Sequence, residues 1–191
     1  MESAGDKKQK IIETARKVFA EKSFFDATLE EISELSGVKK STIYYYFASK
    51  LDLLMEILES IIRQVTSRID ELLLLEDRKE IIRSLIEGYF EFFLQEKDLV
   101  LLLHRVGFDL LSHEEACRRM EMILTHLQDV WDRVAERIGD IQSRSGVVIE
   151  GRKLVRMISA SIVGYCVEEL KRGESIGETD REFFKEIFTA F

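Results

Sequence analysis

Proline is absent from this 191-residue chain, and glycine occurs only ten times. Strands joined by tight turns draw on both residues, one for its fixed φ and the other for positive φ, so a sheet-rich fold is not expected. Cysteine is scarce as well. Cys117 and Cys166 sit inside apolar patterns, where buried thiols are expected rather than a disulfide or a metal pair. No apolar run approaches the roughly 18 residues that a bilayer span needs. The longest, LVLLLHRVGFDLL, is broken by His104, Arg105 and Asp109. The opening MESAGDKKQK lacks the apolar centre of a signal peptide, so a cytoplasmic protein without membrane contact is expected. His104, His113 and His126 do not fall at metal-ligand spacing, and no glycine-rich phosphate loop is present. Neither cysteine has a local partner pattern for nucleophilic catalysis. No metal, no cofactor and no enzymatic activity are expected.

What the chain does hold is apolar residues, 46% of the total, recurring every three or four positions. That period predicts an all-α fold of about nine helices. The first covers about 6–22, with Ile11, Ile12, Ala15, Val18 and Phe19 as its stripe. In TLEEISELSG, Thr28 and Glu31 have the spacing of a capping box. Leu29, Ile32 and Leu35 give the buried face, and Gly37 supplies the left-handed stop. A short helix over about 40–47 follows. A long fourth helix runs from about 50 to 75, capped by Ser49 with Asp52. Asp77 with Glu80, Ser112 with Glu115, and Thr179 with Glu182 mark the starts of later helices. DLVLLLHRVGFDLL reads as a buried helix between the first two of these, GDIQSRSGVVIEG as a loop or loop-rich connection, and RKLVRMISASIVGYCVEELKR as a further helix. Residues 1–50 form one expected domain and 51–191 a second, with the fourth helix linking them.

Charge separates the same two regions. Residues 1–50 hold nine Lys/Arg against eight Asp/Glu, a net of +1; the remaining 141 hold 19 against 28, a net of −9. The stretch SGVKKSTIYYYFASK carries three lysines and no carboxylate. A polyanion partner would meet the chain there. Residues 28–47 have the order helix, glycine turn, short helix, which is the form of a helix-turn-helix. Ile32, Leu35, Val38, Ile43 and Phe47 are spaced to join the two helices. Lys39, Lys40, Ser41, Thr42, Tyr45 and Tyr46 are left to face outward, where ammonium and hydroxyl groups can meet phosphates and base edges. The same spacing would also suit a small hairpin inside a bundle, with its lysines merely solvated.

TLEEISELSGVKKSTIYYYFASKLDLL resembles the DNA-binding signature of the tetracycline-repressor (TetR-like) family of bacterial regulators. The resemblance rests on Thr28, Gly37–Val38, Lys40–Ser41–Thr42, Tyr44–Tyr45–Tyr46–Phe47, Lys50 and Leu53–Leu54, and on the upstream IIETARKVFAEKSF; it covers about residues 8–58. The chain departs from the family's usual glycine at Ser23 and Ser41, its alanine at Ser33, its Ser/Thr cap at Lys39 and its proline at Ala48. The resemblance implies a sequence-specific, ligand-responsive repressor that binds a palindromic double-stranded operator as a homodimer; the alternative is a transcriptional activator or a helical protein with another, non-enzymatic DNA-binding role. It implies phosphate contacts for Thr28 and Lys50 and backbone contacts for Tyr46 and Tyr45. Lys39, Lys40, Ser41, Thr42 and Tyr44 would approach bases or nearby phosphates, with Tyr44 otherwise packing in the core.

The resemblance also implies a small-molecule effector among the middle helices and a dimer formed by the last two. An apolar or amphipathic effector would meet Tyr89, Phe93, His104, Phe108, His126, Trp131 and Tyr165, unless these are ordinary core. The dimer contacts would be Ile158, Ser161, Ile162, Tyr165, Phe184, Ile187, Phe188 and Phe191, unless part of this set packs within the chain. Phe183 adds apolar area, and Ala160 and Gly164 would permit close backbone approach. An architectural nucleic-acid binder would be basic throughout, which this chain is not.

Overall fold

A computed structural model of the chain describes residues 4–97, 100, 102, 113–142 and 146–190. Among them are eight helices: α1 (Ala4–Glu21), α2 (Leu29–Ser36), α3 (Lys40–Tyr46), α4 (Lys50–Leu72), α5 (Arg78–Gln95), α6 (Glu114–Ile138), α7 (Gly151–Arg172) and α8 (Glu178–Thr189). The all-α expectation holds. The helix expected within DLVLLLHRVGFDLL falls mostly outside the described residues; Val100 and Leu102, which are described, are buried. The loop-rich stretch GDIQSRSGVVIEG holds one short pair of strands. Ile141–Gln142 (β1) pairs antiparallel with Val148–Ile149 (β2), Ile141 opposite Ile149.

The chain divides into two compact units, Met1–Ile62 with Asp98–Ile123 and Arg63–Lys97 with Leu124–Phe191. In the first, Ile11, Ala15, Val18 and Phe19 of α1 are buried with Ile32, Ile43, Phe47, Leu54, Met55 and Leu58. This is the stripe that the three-four spacing of α1 and α4 marks out. Ser49 caps α4 as expected: its Oγ accepts from Asp52 N at 3.0 Å and donates to the Asp52 carboxylate at 2.7 Å. Asp52 also takes Arg119 of α6 at 2.6 Å. These hydrogen bonds, Ser49 first and Arg119 next, hold the Asp52 carboxyl below the usual range. The expected cap Ser112 lies outside the described residues. His113 serves that end of α6, its Nδ1 accepting from Ala116 N at 3.3 Å while its ring meets Phe24 edge-on. Of the two free thiols, Cys166 is buried and Cys117 only half-buried, so the expectation of two buried thiols is corrected for Cys117.

In the second unit α5 packs against α7 and α8. Ile81, Ile82, Leu85, Ile86, Phe90 and Phe93 of α5 meet the buried Leu154, Ile158, Ile162, Phe184 and Phe188. Gly151 lets the start of α7 close on the end of α6: a Cβ there would collide with the Ala135 carbonyl oxygen. The cap of α8 differs from the expected Thr179 and Glu182. Asp180 accepts from Gly177 N at 2.7 Å and from the Tyr165 hydroxyl at 2.7 Å, so the turn before the helix rather than a threonine inside it fixes the start.

An ion-pair cluster ties α5 to α8. Glu87 pairs with Arg181, and the Lys185 ammonium lies 2.9 Å from its other carboxylate oxygen. Burial alone would raise the Glu87 carboxyl, but Lys185 and then Arg181 outweigh it and hold it below the usual range. A carboxyl lowered on folding contributes stability above its unfolded value, and that stability is lost as pH falls through the folded one. Glu87→Gln is therefore expected to lower stability by about 1–2 kcal/mol near neutrality and to flatten the acid limb. Thermal unfolding of both proteins across pH 3–7 checks this; parallel curves would remove the cluster's role.

Candidate nucleic-acid interface and small-molecule groove

The turn between α2 and α3 is held by two serines. Gly37 takes φ 66°, the left-handed C-cap of α2. Next to it, Ser36 Oγ accepts from Val38 N at 3.2 Å, and Ser33 Oγ donates to Val38 O at 2.8 Å. Both backbone groups of Val38 are thereby satisfied where the chain reverses. Ser36 is buried, whereas Leu35, expected at the helix-helix contact, is 65% exposed. Helix α2 is only eight residues long, and at its last turn the stripe passes from Ile32 to Ser36 instead of to Leu35. Thr28 caps α2 by accepting from Glu31 N at 3.1 Å. The reciprocal half of the box is replaced, because Glu31 binds the Lys22 ammonium at 2.6 Å.

Helix α3 is seven residues long and buries Ile43, with Val38 before it and Phe47 after it. Its remaining positions face away from this core. Lys39, Ser41, Tyr44 and Tyr45 are exposed, and Lys40, Thr42 and Tyr46 are half-buried. Tyr45 is 81% exposed, and among the described residues its one ring partner is Tyr46, at 5.1 Å in a T-shaped pair. Lys39, Ser41 and Thr42 make no side-chain hydrogen bond or ion pair with the described residues. Lys40 pairs with Glu30 of α2 and lies 5.7 Å from the Tyr44 ring. Thr28 is exposed, and its hydroxyl proton is left to donate.

Lys50 is placed differently. Its ammonium donates to the carbonyls of Phe24 at 2.5 Å, Ala27 at 2.6 Å and Phe25 at 3.3 Å, and lies 4.6 Å from the Phe24 ring. Burial lowers its pKa. All three ammonium protons are engaged within the chain, stapling the α1–α2 loop to the start of α4.

Of the expected effector residues, Tyr89 and Trp131 line a groove of about 520 Å³ in the second unit. Their rings stack at 5.7 Å and 12°. Tyr89 is half-buried, and desolvation of its hydroxyl raises its pKa and keeps it neutral. Ser159 Oγ gives its proton to Val155 O at 2.9 Å, so the 2.6 Å bond between Tyr89 and Ser159 runs from the phenol to the serine. Phe93 lies in the α5 core, His126 is exposed, and Tyr165 is tied to Asp180; none of the three lines the groove. His104 and Phe108 lie outside the described residues. The groove's charged residues, Asp132, Arg152 and Arg156, were not anticipated. Arg152, Arg156, Ser159 and Val163 follow one another at spacings of four, three and four, which was the available signal.

Burial also corrects the dimer set. Ile158, Ile162, Phe184 and Phe188 belong to the chain's own core, and Tyr165 is half-buried. Ser161 and Ile187 are exposed, and Phe191 lies outside the described residues. The apolar face left open holds Met157, Ala160, Ser161 and Gly164 of α7, and Phe183 and Ile187 of α8. No described helix is long and apolar enough to cross a membrane.

Residues 11–57 match the family model for bacterial regulatory proteins of the tetR family. The chain is similar to an uncharacterized HTH-type transcriptional regulator, YerO, of Bacillus subtilis. Identity is 35% over 101 residues, covering 51% of this chain and 35% of YerO. The matches span only 35% to 44% of the length of the first three curated relatives. Among solved structures, the fold is similar to the fatty acid degradation regulator FadR of Bacillus halodurans, with TM-score 0.78 and 18% identity over 96% of this chain and 94% of that one. It is also similar to the transcriptional regulator FadR of Bacillus subtilis in complex with stearoyl-CoA, with TM-score 0.73 and 20% identity over 95% of each chain.

Lys50→Ala is expected to cost about 1–3 kcal/mol of stability by orphaning three carbonyls. Lys39→Ala and Tyr45→Ala should each stay within about 0.5 kcal/mol of the parent. Urea unfolding of the three variants checks the contrast; equal stability of all three would deny Lys50 its loop role.

Proposed function

We propose that this chain, a member of the tetR family of bacterial regulatory proteins through its residues 11–57, is a ligand-responsive transcriptional repressor that binds a two-fold symmetric operator as a homodimer. The carrying observation is the one-sided burial of α3. Val38, Ile43 and Phe47 anchor it, while Lys39, Ser41, Thr42, Tyr44 and Tyr45 stand free or nearly so inside the matched segment. On this reading residues 1–50 are the DNA-binding domain and 51–191 the effector and dimerisation domain. Thr28, Lys39 and Tyr46 meet phosphates or sugar, joined by Lys40 once it exchanges Glu30 for a phosphate. Ser41, Thr42, Tyr44 and Tyr45 reach base edges. Lys50 contributes chiefly by holding the loop from which Thr28 projects.

A seven-residue recognition helix reads few base pairs, so two copies must act together. The open face of α7 and α8 supplies a surface for that pairing. An effector in the groove of the second unit lowers operator affinity only by favouring the state that binds DNA less well. The complex of a fold neighbour with stearoyl-CoA supports a ligand-responsive reading.

Selection of bound duplexes from random DNA tests this. The expected product has two inverted half-sites with centres about 34–36 Å apart or a multiple of that. Lys39→Ala should weaken binding to every sequence alike and lower the salt slope by about 1. Tyr45→Ala should change which bases are selected. Recovery of unselected sequence would reject the regulator reading.

A further inference from the structure

The groove of the second unit joins an apolar wall to an uncompensated positive charge. Its wall is Trp131 stacked on Tyr89, with Leu127 and Val155 beside them. Leu124 and Val163 extend it, 52% and 39% exposed, so apolar area stands open within the groove. Three charged side chains line it: Asp132, Arg152 and Arg156. Asp132 is already matched, its carboxylate 3.2 Å from Arg152 Nε. That contact is at the Nε of Arg152, and its terminal nitrogens make no hydrogen bond with the described residues. Arg156 has neither ion pair nor hydrogen bond among the described residues. The groove is therefore net positive by one charge, in a chain whose net charge is −8.

We infer that this groove binds a small organic anion with an apolar body: one carboxylate or phosphate head on Arg156 and the free edge of Arg152, and a tail against Trp131, Leu127 and Val155. A guanidinium presents paired donors that match the two oxygens of such a head. A cation is disfavoured because the single carboxylate is occupied and both arginines oppose it. A neutral ligand would leave Arg156 unmatched as the wall desolvates it. A volume of about 520 Å³ lies in the range typical of sites that enclose small ligands. As an effector site the groove rests on the regulator reading above; as a binding site it does not.

Trp131 is the only tryptophan of the chain, so its emission reports this groove alone. The full-length protein, without DNA, is titrated with decanoate, decyl phosphate, decanol and decylamine, all below their aggregation thresholds. One or both anions are expected to shift Trp131 emission saturably, and decanol and decylamine to bind at least tenfold more weakly. Decanoate against decyl phosphate assigns the head group. Arg156→Gln should weaken the anions at least tenfold and leave decanol unchanged, while Arg156→Lys recovers part of the loss. Arg156 makes no ion pair or hydrogen bond with the described residues, so its variants should keep the parental unfolding curve. Decylamine binding as well as the anions, Arg156→Gln leaving anion affinity unchanged, or no saturable response to either anion would each overturn the inference. A change of oligomeric state in Arg156→Gln in place of the affinity loss would also overturn it. A second titration, with a selected operator present, is scored separately. Anion binding that leaves operator affinity unaltered would sink the effector role and keep the site.

Discussion

A seven-residue helix cannot sustain itself in water, where isolated helices shorter than about 12–15 residues are marginal. Everything about the first unit follows from having to hold α3 from one side only. Three apolar anchors, Val38, Ile43 and Phe47, supply the grip. Two serine hydroxyls then fix Val38 from both its N–H and its C=O, so the angle at which α3 leaves the turn is set by hydrogen bonds as well as by packing. A helix held this way can leave Lys39, Ser41 and Thr42 unengaged without losing its place. The positions that would read DNA cost the fold little because the fold does not use them.

The three lysines of the basic stretch differ in how much they are committed. Lys39 has no partner among the described residues to give up. Lys40 is paired with Glu30 at the surface, and such pairs are worth about 0–1 kcal/mol, so exchange for a phosphate is cheap. Lys50 would have to abandon three carbonyls, two of them in part-buried contacts, which costs more than a phosphate contact in water returns. Net charge alone ranks the three equally; their partners rank them Lys39, Lys40, Lys50. A lysine that looks like a phosphate ligand in the sequence can thus act on DNA indirectly, by fixing the loop that carries Thr28.

The helices, their caps at Thr28, Ser49 and Asp77, and the stop at Gly37 were legible because each depends on residues a few positions apart. What was not legible depends on what lies opposite. Leu35 and Ser36 both fit a helical stripe, and only the turn geometry, which needs a buried hydroxyl at Val38, decides between them. His126 and Tyr165 each precede an apolar residue, Leu127 and Cys166. One lies on the solvent side of α6, and the other is drawn to Asp180 fifteen residues on. The aromatic tail misled for a related reason: Phe183, Phe184, Ile187 and Phe188 are equally apolar, but a helix can bury only the side that α5 and α7 cover. Arg152 and Arg156 were overlooked because a pair of arginines four apart is ordinary on a solvated face and becomes informative only beside Trp131.

Helix α7 resolves into three faces whose roles constrain one another. Leu154, Ile158, Ile162 and Cys166 point into the core, where burial pushes the Cys166 thiol up to about 12 and leaves it an inert apolar group. Arg152, Val155, Arg156, Ser159 and Val163 form one wall of the groove. Met157, Ser161 and Gly164 stay open on the third side, the side proposed to meet a second copy. Ala160 lies at the border of the last two. A rigid helix cannot move one of these faces alone. If a ligand draws Arg152 and Arg156 inward, α7 must turn against its core or carry Met157 and Gly164 with it. The packed core, with Tyr89 donating to Ser159 and the Glu87 cluster clamping α8, resists the first option more than an open surface resists the second. A ligand in the groove and a second copy on the open face would therefore be coupled through one helix, and reciprocity would require that pairing of two copies alter ligand affinity by the same factor that the ligand alters pairing.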